Sequence, residues 1–366
     1  MTLQSGRNPS AQLEALRLFS LLDAGNSAGT LISDAERVES FVSGIASGLE
    51  ESLANPSRLH GWRVQSMFEA MIVGLGDVQL VKEEDVGTYF YSSQAGDVRV
   101  PDFRLVRLDG EQLLVEVKGV DPKQVLRPQR IREADVNALQ RYANLTGARL
   151  LLAHYWSAMN LWTLVDPKVF RRHNSKLVVE IERAMKESEL GLLGDAMVAT
   201  VAPLVLSLSA DTSKIEPPTL VENARAGLDF KVAGVEVSAG GAVLTDAIER
   251  KIAWFLMQFG RWRFDKNVIT DKGIIRRIDL VFSPKESVPG QGFDMVGQLS
   301  SMYSSLYNLS TLTEAGEVLG LRHEVTPGML GTLIPGDYFD QPNRSLKLWK
   351  FIQQPSSTPG AGAGAT

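Results

Sequence analysis

Cysteine is absent from this chain of 366 residues. That absence excludes disulfides, thiolate-bound zinc and thiol nucleophiles, and frees the fold from any redox compartment. Histidine is scarce. The four present, His60, His154, His173 and His323, show no metal-ligand spacing. Metal chemistry, if any, falls to carboxylates, which select hard ions such as Mg²⁺ or Mn²⁺. A glycine-rich phosphate loop ending in Lys-Ser/Thr is missing, as is a Gly-x-Ser-x-Gly elbow, so ATPase and serine-hydrolase chemistry lack their signatures. Long apolar runs are missing too. The most apolar stretch, Ala196 to Ala210, is interrupted by Thr200, Pro203, Ser207 and Ser209 and falls short of the ~20 residues of a membrane span. The opening MTLQSGRNPSAQ lacks the basic start and apolar run of a signal peptide. The expectation is a soluble, cytoplasmic protein with no membrane partner.

The composition is that of a globular protein, 44% hydrophobic and 22% charged, long enough for about two domains of roughly 150 residues each. A net charge of −5 weighs mildly against nucleic-acid binding, although a basic face can coexist with an acidic remainder.

Periodicity divides the chain. Residues 11–53 read as two helices, on stripes such as Leu13, Leu16, Phe19 and Val38, Phe41, Ile45, with a break at Asn55-Pro56-Ser57. Val64 to Leu75 is an amphipathic helix. Strands follow at Gly87–Ser93, Val98–Leu108 and Leu113–Lys118, then a helix over Arg132–Thr146 ended by Gly147. Further strands lie at Arg149–His154 and Leu161–Val165, and a charged helix at Lys176–Ser188. A second α/β region has a helix at Thr245–Phe259, strands at Arg263–Ile269 and Ile274–Phe282, and a helix from Met295 to Leu309. The expected divisions are an N-terminal helical segment (1–57), a first α/β domain (58–190), a linker (191–218), a C-terminal α/β domain (219–352) and a polar, disordered tail (353–366).

One strand carries chemistry. Leu113, Val115 and Val117 alternate with Leu114, Glu116 and Lys118, so a carboxylate and an ammonium share one face of an apolar strand. Pro101-Asp102 precedes it by one hairpin. If Asp109-Gly110 is a two-residue loop, Asp102 pairs with Val117 and its side chain faces away from Glu116. If the loop is Leu108-Asp109-Gly110, Arg107 pairs with Glu111 and Asp102 faces Glu116. Gly110 suits that second loop, whose last residue takes positive φ.

On these residues the chain resembles the PD-(D/E)xK nuclease superfamily, which includes restriction endonucleases and Holliday-junction resolvases. The motif stands here as Pro101-Asp102 and Glu116-Val117-Lys118, within the order helix, three strands, helix, strand over roughly residues 60–165. The resemblance implies a restriction-endonuclease-like mixed-sheet core. It implies Asp102, Glu116 and the Val117 carbonyl as ligands of Mg²⁺ or Mn²⁺, with Lys118 orienting a water or stabilising charge. It also implies Glu69, on the preceding helix, as a further ligand, the alternative being a solvated glutamate. Gln140, on the following helix, is either a site residue or a surface glutamine. The partner implied is nucleic acid, with DNA commoner than RNA. Lys123, Arg127, Arg130 and Arg132, between this strand and the next helix, are the expected phosphate contacts, the alternative being a solvated loop whose charge Asp121, Glu133 and Asp135 dilute. A catalytically inactive nucleic-acid-binding or assembly module on the same fold is the rival reading. Asp102 and Lys118 are polar cleft residues, so their replacement should change stability little.

The second region has a basic-aromatic run from Arg261 to Arg277. There Arg276 and Arg277 are expected to bind nucleic acid, the alternative being a homo-oligomer or partner-protein interface. Glu249, Asp279 and the following helix weakly echo Glu69, Asp102 and the helix of Gln140, as in a degenerate nuclease-like repeat without a Glu-x-Lys.

Overall fold

The computed structural model describes residues 3–4, 10–22, 31, 33–84, 88–124, 126–211, 231–272, 274–341 and 343–356. The fold is mixed α/β, with helices at the N-terminus followed by several sheets. Most of the expected linker lies within the described part, whereas its end and most of the tail lie outside it.

Helices α1 (Ala11–Leu22) and α2 (Ala35–Leu53) come first and touch through an edge-on Phe19–Phe41 pair. The Asn55-Pro56-Ser57 break is the start of α3 (Pro56–Leu75). The Asn55 side chain caps the Arg58 N–H, Pro56 occupies the first turn, and Gly76 ends the helix at φ 74°.

Five strands form the first sheet: β1 (Val78–Glu83), β2 (Phe103–Arg107), β3 (Gln112–Val120), β5 (Arg149–Trp156) and β6 (Leu161–Val165), in the order β1-β2-β3-β5-β6. Only the β3–β5 pair is parallel, and α4 (Glu133–Leu145) lies within the connection between them. Helix α3 packs on one face, against Phe103, Leu105, Leu113, Val115 and Val117. Helix α4 packs on the other, where Val136, Leu139 and Ala143 meet Leu114 and Leu150. With both faces covered, β3 is buried along most of its length. Strand β4 (Gln129–Arg132) joins β8 (Lys176–Val179) and β7 (Arg171–His173) in a small antiparallel sheet.

The first expected strand is misplaced. Residues 88–92 form no strand, and the edge position belongs to Val78–Glu83. The charged helix expected over Lys176–Ser188 is β8 followed by the short α5 (Ile181–Lys186).

The linker expected over 191–218 is structural in its first part. Strand β9 (Met197–Thr200) is central to a sheet with β15 (Asp294–Gln298) and β16 (Leu348–Phe351). Strand β10 (Leu204–Ala210) is central to another, with β11 (Val232–Ala239), β12 (Ala242–Val243), β13 (Trp262–Asp271) and β14 (Ile274–Pro284). The run from Ala196 to Ala210 is thus sheet core. Every described pairing in the β10 sheet is antiparallel, and its central strand precedes α6 (Ala247–Phe259). The proposed repeat therefore does not reproduce the first sheet, whose core is a parallel pair. Its echo residues are structural: Asp279 accepts from Ser207 Oγ and Arg277, and Glu249 accepts the Ser345 N–H.

The two halves share one core. Helix α7 (Leu299–Thr311), which starts four residues later than expected, packs on α3. Its serines allow close approach and supply polar contacts: Ser304 Oγ accepts from Trp162 Nε1 at 2.9 Å, and Asn160 Nδ2 donates to the Ser301 carbonyl at 2.8 Å. Buried Arg63 donates to Thr311 Oγ1 at 3.1 Å and lies over the Tyr307 ring. Gly74 faces Tyr303 so closely that a Cβ there would stand 2.8 Å from the ring. The short helix α8 (Met329–Leu333) also packs on α3. Among the described residues, no helix is long and apolar enough to cross a membrane.

Asp195 ties the start of α7 to the strand region. It accepts the Ser300 N–H at 2.9 Å and the Ser300 hydroxyl at 2.8 Å. Burial raises its pKa from 3.8 to about 6, against the lowering effect of these hydrogen bonds. A raised acid pKa means the folded state holds the proton more tightly. The corresponding stability is complete below about pH 4 and is lost as pH rises through about 6, a change of order 3 kcal/mol. Asp195→Asn should therefore remove a decline in urea-unfolding stability between about pH 4 and 7. Parallel pH profiles for the two proteins would show that Asp195 does not titrate in this window.

Candidate active site

The hairpin decides whether the two carboxylates meet. The Arg107 N–H donates to the Glu111 carbonyl at 3.0 Å, and the Gly110 N–H to the Arg107 carbonyl at 3.0 Å. Gly110 has φ 89°. This is the three-residue loop. Its register runs Leu105↔Leu113, Arg104↔Leu114, Phe103↔Val115; carried one residue past the end of β2, it would set Asp102 opposite Glu116. The contacts of the two carboxylates differ: Asp102 is bound by Gln65 of α3, and Glu116 by Arg99, which is tied to α4.

Asp102 lies just before β2. Its Oδ2 accepts the Val117 N–H at 2.6 Å, and its Oδ1 accepts from Gln65 Nε2 of α3 at 2.7 Å. Glu116 is 2% exposed. Its Oε1 is 2.5 Å from Lys118 Nζ and 3.5 Å from an Arg99 guanidinium nitrogen. Arg99 also stands 4.0 Å from Asp135 of α4, and its backbone N–H donates to the Ala138 carbonyl at 3.2 Å. Both cations meet the same carboxylate oxygen.

Besides Gln65 and Arg99, two further residues missed in the sequence extend this group. Glu84 follows β1, and its N–H donates to the Asp102 carbonyl at 2.8 Å. Burial alone would raise its pKa, but hydrogen bonds from Arg104, Tyr142 and Lys82 hold it down at about 2. Those partners occupy its carboxylate. His154 is the neighbour of Lys118 across the parallel pair. It is buried beside Trp156 and Phe170, and burial, followed by the charge of Lys118, lowers its pKa to about 4. Lys118 therefore stands beside a neutral imidazole at neutral pH.

Glu69 is the further ligand that the resemblance implied. Gln65, one turn earlier on the same face of α3, is the residue that reaches Asp102. The Glu69 carboxylate lies 3.7 Å from Arg322, which also approaches Glu83 at 3.6 Å. Burial and then the Glu83 charge raise its pKa, while Arg322 lowers it. Among the described residues no group of three or more His, Asp and Glu side chains is arranged to hold a metal ion. The Gln140 amide donates to Asn144 Oδ1 at 3.0 Å along its own helix. The residues of α4 that meet the sheet are Val136, Leu139 and Ala143.

The expected cations follow β3 on the surface, Lys123 and Arg127 in the connection and Arg130 and Arg132 on β4. Lys123, Arg127, Arg130 and Arg132 are exposed, and Arg132 is held by both oxygens of Asp135 at 2.9 Å. Arg276 and Arg277 lie on a different sheet, each against a carboxylate: Asp271 at 3.1 Å and Asp279 at 2.9 Å.

No family model matches the chain, and neither does any curated protein. Among solved structures the chain is similar to Hjc, a Holliday junction resolvase from the archaeal hyperthermophile Archaeoglobus fulgidus. The identity is 15% and the TM-score 0.23, over 29% of this chain and 80% of that one. A likeness so loose carries no functional weight, which falls instead on the geometry of the site.

The same geometry revises the expectation that the site residues are neutral for stability. Lys118→Ala removes the closest partner of a buried carboxylate and should cost about 1–3 kcal/mol, Arg99 and partial solvent exposure limiting the loss. Glu116→Gln in that background should recover part of it, since no buried charge remains. A urea-unfolding double-mutant cycle measures the coupling, and additive effects would show the pair to be energetically independent.

Proposed function

We propose that the chain is a metal-dependent nuclease that hydrolyses phosphodiester bonds, with DNA as substrate. The observation that supports this reading is the register of β2 and β3, which carried one residue past Phe103↔Val115 would set Asp102 across from Glu116, with Lys118 beside Glu116.

The donor set suits a hard divalent cation. Asp102, Glu116 and the Val117 carbonyl offer oxygen alone, and two carboxylates leave positions for water and phosphate oxygens, as Mg²⁺ or Mn²⁺ requires. When bound, such an ion lowers the pKa of a water and neutralises charge on the scissile phosphate. Gln65 fixes Asp102 by holding one oxygen while the Val117 N–H holds the other. Lys118 keeps a charged, partly exposed ammonium at the mouth of the site, where it orients the attacking water or meets charge developing on phosphate oxygens. His154, neutral and buried, donates no competing charge. Lys123, Arg127 and Arg130 are the proposed contacts to flanking phosphates.

One observation favours a second reading, a nucleic-acid-binding module without catalysis. Lys118 and Arg99 already balance Glu116 with no added cation. The two readings separate experimentally. The nuclease should cut plasmid or branched DNA when Mg²⁺ is present and stop when a chelator is added. Asp102→Asn and Lys118→Ala should abolish cleavage. Mg²⁺ should also raise the wild-type Tm by preferential binding to the folded state, with a smaller rise for Asp102→Asn. DNA binding with neither cleavage nor a Mg²⁺-dependent Tm shift would establish the second reading.

A further inference from the structure

Between β1 and β2 the chain exposes three successive aromatic residues. Tyr89 is 44%, Phe90 93% and Tyr91 46% exposed. The Tyr89 and Tyr91 rings stack at 5.9 Å with 23° between their planes. A phenylalanine almost wholly in water, beside two half-exposed tyrosines, forgoes the burial that aromatic rings normally gain, and such exposed apolar groups mark binding surfaces.

The segment is attached to the site. Tyr89 packs edge-on against Tyr142 at 6.5 Å and donates its hydroxyl to the Val98 carbonyl at 3.2 Å. Tyr142 bonds Glu84 at 2.7 Å, and Glu84 bonds the backbone of Asp102. Val98 adjoins Arg99, whose guanidinium stands 3.5 Å from Glu116. The flank carries two guanidinium groups: Arg99 is half exposed, between Glu116 and Asp135, and Arg141 is held over Gly96 by a 2.7 Å bond to the Asp97 carbonyl. Aromatic faces beside guanidinium groups complement the unpaired bases and phosphates of a single strand. A duplex hides its base faces in its own stack and would offer Phe90 only sugar and phosphate.

We propose that Tyr89, Phe90 and Tyr91 form a stacking platform for unpaired bases next to the cleavage site, so that the substrate is single-stranded nucleic acid or the single-stranded part of a branched one. This rests on the nuclease reading and names its substrate class.

The full-length protein is tested in a chelator with a fluorescein-labelled thymidine oligonucleotide of about 20 residues and a duplex of equal length, by fluorescence anisotropy. Wild type should bind the single strand about tenfold tighter than the duplex. Phe90→Ala should weaken single-strand binding about tenfold and duplex binding less than about twofold, and Phe90→Trp should restore it. Tyr91→Ala should act in the same direction. Both side chains are exposed, and circular dichroism verifies that the variants fold. The proposal is overturned by equal affinity of wild type for both probes, or by a Phe90→Ala loss that is absent or the same for both. Single-strand binding that depends on Phe90, without Mg²⁺-dependent cleavage, would sink the nuclease reading and leave the platform standing. Cleavage that ignores Phe90 and strand state would do the reverse.

Discussion

A carboxylate inside a strand covered on both faces must be neutralised, and the candidate site is organised around that requirement. Glu116 is buried between a helix-packed sheet face and its neighbours on β3. An ionised carboxylate so placed is stable only with charged or hydrogen-bonded partners. Lys118 and Arg99 supply them, from the same strand and from the loop before β2. That loop is in turn fastened to α4 by the Arg99 N–H and by Arg141. Asp102 meets the same difficulty differently, by accepting a backbone N–H and an amide. The two carboxylates are thereby each held in place by partners of their own.

Helix α3 links this arrangement to the rest of the molecule. Gln65 reaches the site from one side of the helix, while Arg63 and Gly74 meet α7 on the other. The apolar residues between them belong to a core that continues through α6, α7 and the strands around β10. The second half of the chain thus forms the back wall of the helix that positions Asp102. It is not an appendage joined by a free linker, and removing it would expose the Met67, Met71 and Ile72 region to water.

What the sequence revealed follows from which interactions are local. The sequence left the β2–β3 register open between two loops; Gly110 at positive φ closes the three-residue one, and the loop length sets every pair behind it. The helix and strand boundaries around α4, β5 and β6 were readable from periodicity and Gly147. The first sheet strand was not. Tyr89, Phe90 and Tyr91 have the residue types of a strand but lie outside the sheet, while Val78–Glu83, richer in polar residues, takes the edge. Strand propensity reports side chains that suit a half-buried surface, and here the suitable side chains are left in solvent. Glu69 illustrates a different limit. A sequence places a glutamate on the correct helix face, but only packing decides which turn of that face stands beside Asp102. Arg322, more than 250 residues away in sequence, decides where the Glu69 carboxylate goes. Glu84 and His154 left no signal, because cross-strand register alone brings them to the site.

The acidity of the chain also reads differently once the pairs are known. A net charge of −5 suggested a molecule that phosphate would avoid. Many of its carboxylates, however, are engaged within the fold. Glu84 is held by Arg104, Glu189 and Asp166 by Arg149, and Asp279 by Arg277. Charges paired at contact distance cancel beyond a few ångströms, and salt screens the remainder within about 8–10 Å. The field at the site is therefore set by groups close to it: Asp102 and Glu116, the ammonium of Lys118, the guanidinium of Arg99 and the exposed cations after β3. That local balance is two carboxylates against two cations within the site, with Lys123, Arg127 and Arg130 outside it. A phosphate approaching over that loop meets positive charge first, whatever the sign of the molecule as a whole.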